Sequence, residues 1–179
     1  VTLKELGRLD EAESSYNQAI ALQPDLAEAH SNLGVTLNEL GRLDEAEASY
    51  NQAIALKPDE AEAHNNLGNT LQKLGKLEES EASYLQAIAL QPDFADAYYN
   101  SGNTLKELGR LDEAEASYKQ AIAFKPDLAE VHSNLGITLK ELGRLDEAVA
   151  SLSQAIALKP DFAKALYNRS ILLFNKGQY

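Results

Sequence analysis

Five asparagines, Asn32, Asn66, Asn100, Asn134 and Asn168, recur on one register every 34 residues, and Asn69 and Asn103 follow two of them by a helical turn. Each side chain offers one acceptor and two donors. A row of such groups suits polar recognition: it can pair with the backbone of an extended peptide whatever side chains that peptide carries. Bond-making chemistry has much less to work with. Cysteine is absent, which removes thiolate nucleophiles, thiolate metal sites and disulfides. No Ser lies in a nucleophile elbow, and no glycine run forms a phosphate loop. Asp44, Glu45 and Glu47 sit where a helix begins, a placement that helix capping and the helix dipole explain. No catalytic residue, cofactor or metal is expected.

The net charge of -12 opposes binding to a phosphate backbone, which needs Lys and Arg to neutralise it. No apolar run approaches the roughly 18 residues of a membrane span; the longest candidates, such as Ile171-Leu172-Leu173-Phe174, are four residues. The expected partner is a protein or extended peptide, with no nucleic acid and no membrane insertion. The chain starts at Val1 and contains no Met, so the native N-terminus is expected to be missing. A soluble, cytoplasmic location is expected.

The elements that must position the asparagines follow from the same period. Pro24, Pro58, Pro92, Pro126 and Pro160 keep a spacing of 34 residues, as do Gly7, Gly41, Gly75, Gly109, Gly143 and Gly177. Residues 27–60 and 129–162 differ at only seven positions, so one unit is repeated with little change. In residues 25–58, Asp25 is expected to cap a first helix, with Glu28 completing a capping box. Ala29, Leu33, Val35, Leu37 and Leu40 supply its apolar face. Gly41 stops it in the left-handed conformation. Asp44 is expected to cap a second helix with stripe Ala46, Tyr50, Ala53, Ile54 and Leu56, which Pro58 ends. Small residues such as Gly34, Ala46 and Ala53 stand where axes must approach to about 8–10 Å. No segment alternates with period two, so no strand is predicted. His30, His64 and His132 fall in different repeats, too far apart to share one metal ion and better suited to packing.

The segment A-E-A-H-S-N-L-G-V-T-L-N-E-L-G-R-L-D-E-A-E-A-S-Y-N-Q-A-I-A-L-K-P-D-E, residues 27–60, resembles the tetratricopeptide repeat: a Leu-Gly pair, then Gly, Ala, Tyr, Ala and Pro at fixed offsets. The resemblance implies an all-α fold, an α-solenoid forming a right-handed superhelix of 34-residue helix-turn-helix units. It covers 1–179 as a single array: a partial repeat 1–26, full repeats 27–60, 61–94, 95–128 and 129–162, and a terminal half repeat 163–179. The position where the family often has Trp or Tyr holds His30, His64, Tyr98, His132 and Leu166, while Ser80 replaces Ala and Leu152 replaces Tyr. The last helix diverges further, with Lys164, Arg169 and Lys176.

Similar proteins bind peptides in a concave groove lined by the first helix of each pair. By position, the resemblance puts Glu28, Ser31, Asn32, Val35, Asn38, Glu39 and their equivalents in that groove. The asparagine series looks like the asparagine ladder in the repeats of O-linked N-acetylglucosamine transferases. An equal alternative is that these asparagines brace neighbouring helices. Tyr99 and Tyr167 replace Ser31, Asn65 and Ser133 in a position expected to face outward, and join the candidate groove. A clamp for a C-terminal carboxylate is not expected, because Glu28, Glu62, Asp96 and Glu130 stand where its cations belong. The leading reading is a protein-interaction scaffold and not an enzyme. The alternatives are a non-catalytic, substrate-recruiting arm of a larger glycosyltransferase or sulfotransferase, and a repeat that self-associates end to end.

Overall fold

A computed structural model describes residues 8–175 and 177. Among these it contains ten helices and no strand: α1 (Leu9–Leu22), α2 (Ala27–Glu39), α3 (Leu43–Leu56), α4 (Ala61–Lys73), α5 (Leu77–Leu90), α6 (Ala95–Glu107), α7 (Leu111–Phe124), α8 (Ala129–Glu141), α9 (Leu145–Leu158) and α10 (Ala163–Asn175). Gly7, the rest of the opening segment 1–7 and Lys176 lie outside the described residues. The helices fall into two compact units divided after Pro92. In the first, α1 to α5 pack each on the next, and the first helices of successive repeats, α2 and α4, also touch directly. In the second, α6, α8 and α10 form the layer of first helices and α7 and α9 fill the spaces behind them.

Helix ends follow the expected glycines and prolines. Gly41 takes φ 76°. The Arg42 N–H then reaches the Leu37 carbonyl at 2.9 Å and the Gly41 N–H the Asn38 carbonyl at 3.1 Å, the paired bonds that close a helix C-terminus around a left-handed residue. At the other end of the unit, Lys57 is pulled to φ -140°, ψ 84° ahead of Pro58, where the proline ring excludes the α region.

The N-termini differ from expectation. The cap residues are Leu26 and Arg42, not Asp25 and Asp44, and neither makes a side-chain capping bond. Asp44 instead lies in the first turn of α3, where its charge complements the exposed N–H groups. Arg42 grips Glu45 at 2.5 Å and Glu13 at 2.7 Å, joining α3 to α1. The same tie recurs as Lys76 to Glu47 at 2.8 Å and Arg144 to Glu115 at 2.5 Å. Each cation therefore links a second helix to that of the preceding repeat.

The close approach of the two helices in a repeat is set by one glycine facing one large ring. A Cβ on Gly34 would stand 2.9 Å from Tyr50, and on Gly68 or Gly102 only 2.6 Å from Tyr84 or Tyr118. Gly136 faces Leu152 in the same way at 2.7 Å. All four partners are fully buried, so the large side chain occupies the space that any side chain on the first helix would need.

Candidate functional site

The candidate site is the layer of first helices, taken unit by unit. In the first unit Asn32 on α2 and Asn66 on α4 occupy equivalent positions on helices in contact. Both are half-buried. Their carbonyls accept the hydroxyls of Thr36 and Thr70 at 2.9 Å. Among the described residues their side-chain amides bond to no protein group, so their donors and acceptor are available. Packed helices sit about 8–10 Å apart. An extended chain rises about 3.3 Å per residue, so Asn32 and Asn66 match groups about three residues apart on such a chain. Beside Asn32 lies a hollow of about 220 Å³, lined also by Tyr16, Ala19, Leu26, Glu28 and Ala29.

Farther along the same face, Asn38 is engaged. Its amide donates to the Thr70 hydroxyl at 2.6 Å, and its oxygen receives Lys73. Asn69, a turn beyond Asn66, accepts the Tyr84 hydroxyl at 2.8 Å. Half of its side chain is therefore committed to satisfying a buried phenol.

The second unit arranges the corresponding residues differently. Asn103 accepts the Tyr118 hydroxyl at 2.8 Å and the Asn134 amide at 2.9 Å. Asn134 also donates to the Tyr99 hydroxyl at 3.2 Å and accepts Lys164 Nζ at 3.2 Å. Asn168 donates to the Lys164 carbonyl at 2.8 Å and accepts Lys140 Nζ at 3.4 Å. Asn100 is half-buried and has its own interactions. Here Asn103, Asn134 and Asn168 brace neighbouring first helices, the alternative role that their residue type allowed.

The position of Tyr99 and Tyr167 is not uniformly outward, which corrects the sequence expectation. Asn65 is 7% exposed and Ser133 fully buried at that register. Tyr99 is half-buried, with its ring 6.2 Å from Tyr118. Only Tyr167, 67% exposed, presents a free ring. Within the second unit α8 packs on α6, and α10 on α8. Ser133 pays for this cover: its hydroxyl is buried without a partner.

The histidines have a role that sequence reasoning missed. His30, His64 and His132 each place Nε2 3.0 Å from a carbonyl, that of Pro24, Pro58 and Pro126. Since the carbonyl only accepts, Nε2 carries the proton and the ring ties the first helix to the preceding turn. The fixed six-residue separation of His and Pro was the available signal. Tyr98, at the same position, instead stacks on Phe124 at 5.8 Å.

Burial and the nearby charges of Glu107 and Glu141 raise the Tyr118 phenol above its ordinary range, which keeps it a hydrogen-bond donor. Among the described residues no group of three or more His, Cys, Asp or Glu side chains is placed to hold a metal ion. No described helix is long and apolar enough to cross a membrane.

The family model for the TPR repeat matches residues 2–41, 36–75, 73–109, 102–143 and 138–177. The chain belongs to the TPR repeat family. Its helical repeats match those of solved TPR structures. A crystal structure of MamA is 27% identical with a TM-score of 0.84, over 90% of this chain and 95% of that one. TTC0263, described as a thermophilic TPR protein of Thermus thermophilus, is 27% identical with a TM-score of 0.72, over 96% and 94%. YrrB, described as a TPR protein with an unusual peptide-binding site, shares the fold at 24% identity with a TM-score of 0.80, over 94% and 87%. None of the curated proteins matches the chain.

Proposed function

We propose that this TPR chain is a protein-interaction scaffold that binds an extended segment of another protein along its first helices and catalyses no reaction. The observation that carries the reading is the pair Asn32 and Asn66: half-buried, one repeat apart, on helices in contact, with side-chain amides that no described protein group uses. Side-chain amides so placed bond to a peptide backbone irrespective of its sequence. The description of YrrB as peptide-binding agrees with this use of the fold. Asn69 and Asn103 contribute through their remaining donors, while Asn134 and Asn168 support the face. Tyr167 offers an exposed ring. A cytoplasmic location and one continuous array over 1–179 belong to the same proposal, the latter resting on the unbroken 34-residue period.

The test is capture of peptides from a library by the full chain and by Asn32→Ala/Asn66→Ala. Loss of capture with an unchanged helical spectrum supports the reading. Capture that survives in the double variant refutes it.

End-to-end association is disfavoured in the register of the repeats. It would set Ser170 of α10, the residue at the Gly34 position, against Tyr16 of a second copy. A Cβ at that position meets the facing tyrosine at 2.6–2.9 Å in the three repeats that have one. A molecular mass that stays monomeric as concentration rises is the expected result.

A further inference from the structure

One face of α10 differs from its counterparts. Leu166, Arg169, Ser170 and Leu173 are spaced by three, four and seven residues, so they share one side of the helix. In the four full repeats the second helix packs against this side, where the glycine of the first helix faces Tyr50, Tyr84, Tyr118 or Leu152. The Arg169 register there holds Leu33, Leu67, Ser101 and Leu135, all buried. The Ser170 register holds glycine, and the Leu173 register a buried leucine. α10 itself packs on α8 and α9, and among the described residues no further helix packs on it.

The face keeps the outline of a surface that receives a helix, with two residues changed. Leu173 is still leucine, and Leu166 and Tyr167 are 38% and 67% exposed. Arg169 sets a guanidinium where the other repeats bury a side chain. It is half-buried, and among the described residues it has no hydrogen bond or ion pair. A cation covered further by a partner needs a carboxylate beside it, and α10 carries no Asp or Glu, unlike α2, α4, α6 and α8. Ser170 adds a side chain where the covering helix leaves room for none, since a Cβ at that register meets the facing tyrosine at 2.6–2.9 Å. Its hydroxyl donates to the Tyr167 carbonyl at 2.8 Å, so it can be covered without losing a hydrogen bond. A helix that fits must therefore bring an acid to Arg169 and a small residue to Ser170. The second helices of another copy of this chain do not fit, because each has Tyr or Leu at the facing position.

We propose that this face of α10 docks an amphipathic helix of a partner protein, with an Asp or Glu beside Arg169 and a Gly or Ala over Ser170. The surface does not involve Asn32 or Asn66, and the proposal does not rest on the capture of extended peptides.

The probes are four fluorescein-labelled, hydrocarbon-stapled helices of 14 residues, the length of α9, each with a leucine stripe. They carry Glu or Gln beside the stripe and Ala or Tyr at its centre, and binding to the full chain is followed by anisotropy. The helix with Glu and Ala should bind best. Glu changed to Gln should weaken binding about three- to tenfold at low salt, and Ala changed to Tyr about tenfold. Arg169→Leu restores the residue of the other repeats; it should remove the preference for Glu and keep docking. Ser170→Gly should admit the helix with Tyr. Equal binding of Glu and Gln helices, equal binding of Ala and Tyr helices, a Glu preference that survives Arg169→Leu, or no binding of any probe overturns the proposal. Loss of helix binding in Asn32→Ala/Asn66→Ala would seat the helix on α2 and α4 and also overturns it. So does release of the probe as the chain dimerises at rising concentration, which would put a second copy on the face. Each of these results leaves the extended-peptide reading to its own test.

Discussion

Gly102→Ala tests the contact that sets helix spacing. The new Cβ would sit 2.6 Å from Tyr118 Cε1 and 2.8 Å from Cδ1, against ordinary contacts that begin at 3.4 Å. The ring is fully buried. It is also pinned, because its hydroxyl bonds to Asn103, the residue next to Gly102, at 2.8 Å. Moving the ring away from α6 therefore stretches that bond. Overpacking costs about 1–3 kcal/mol and a weakened hydrogen bond about 1 kcal/mol. Alanine in place of glycine inside a helix returns about 1 kcal/mol. The net expected loss is about 1–3 kcal/mol, read as a lower urea midpoint by circular dichroism. Gly34→Ala should cost less, since Tyr50 is 2.9 Å away and Val35, where Asn103 stands in the other repeat, offers its hydroxyl no acceptor. A Gly102→Ala chain as stable as wild type, or a larger loss for Gly34→Ala, would refute the reasoning.

Ser133→Ala should be neutral or slightly stabilising in the same urea assay, because it removes a buried hydroxyl that has no partner. Asn103→Ala should lower stability by about 1–2 kcal/mol by orphaning the Tyr118 hydroxyl, whereas Asn66→Ala should leave the melting curve unchanged and affect only peptide capture. The arginines hydrogen-bonded to Glu45, Glu113 and Glu147 hold these carboxyls below their ordinary value of 4.5. The unfolded chain then takes up protons first on acidification. The contribution of these pairs is full above the ordinary carboxylate range and is lost as pH falls through the lowered folded values. Urea midpoints should be flat near neutrality and fall below about pH 4.5, with a smaller fall in Glu147→Gln.

Several features of the fold were legible because they depend on local rules repeated many times. Glycine at Gly41 and proline at Pro58 limit the backbone dihedrals themselves, so the helix ends were readable from residue type and spacing. The caps were misread because Asp25 and Asp44 have capping side chains but do not stand at the true cap positions, Leu26 and Arg42. Propensity does not resolve a shift of a residue or two. Tyr99 and Tyr167 were read as equivalent from their register, yet one is half-buried and the other exposed. Burial of Tyr99 depends on its packing partners, Tyr118 beside its ring and Asn134 at its hydroxyl.

The chain alone sets the period, the helix pairs and the small-against-large contact, since each follows from backbone restrictions and side-chain size within one repeat. Which asparagines bond to a neighbouring helix was decided only in the tertiary structure. Asn66 and Asn134 are the same residue at the same register. Asn134 finds Tyr99, Asn103 and Lys164 on the neighbouring first helices, and Asn66 finds no side-chain partner among the described residues. A hydrogen bond needs its partner within about 3 Å, and partners a whole repeat away in sequence reach that distance only through packing.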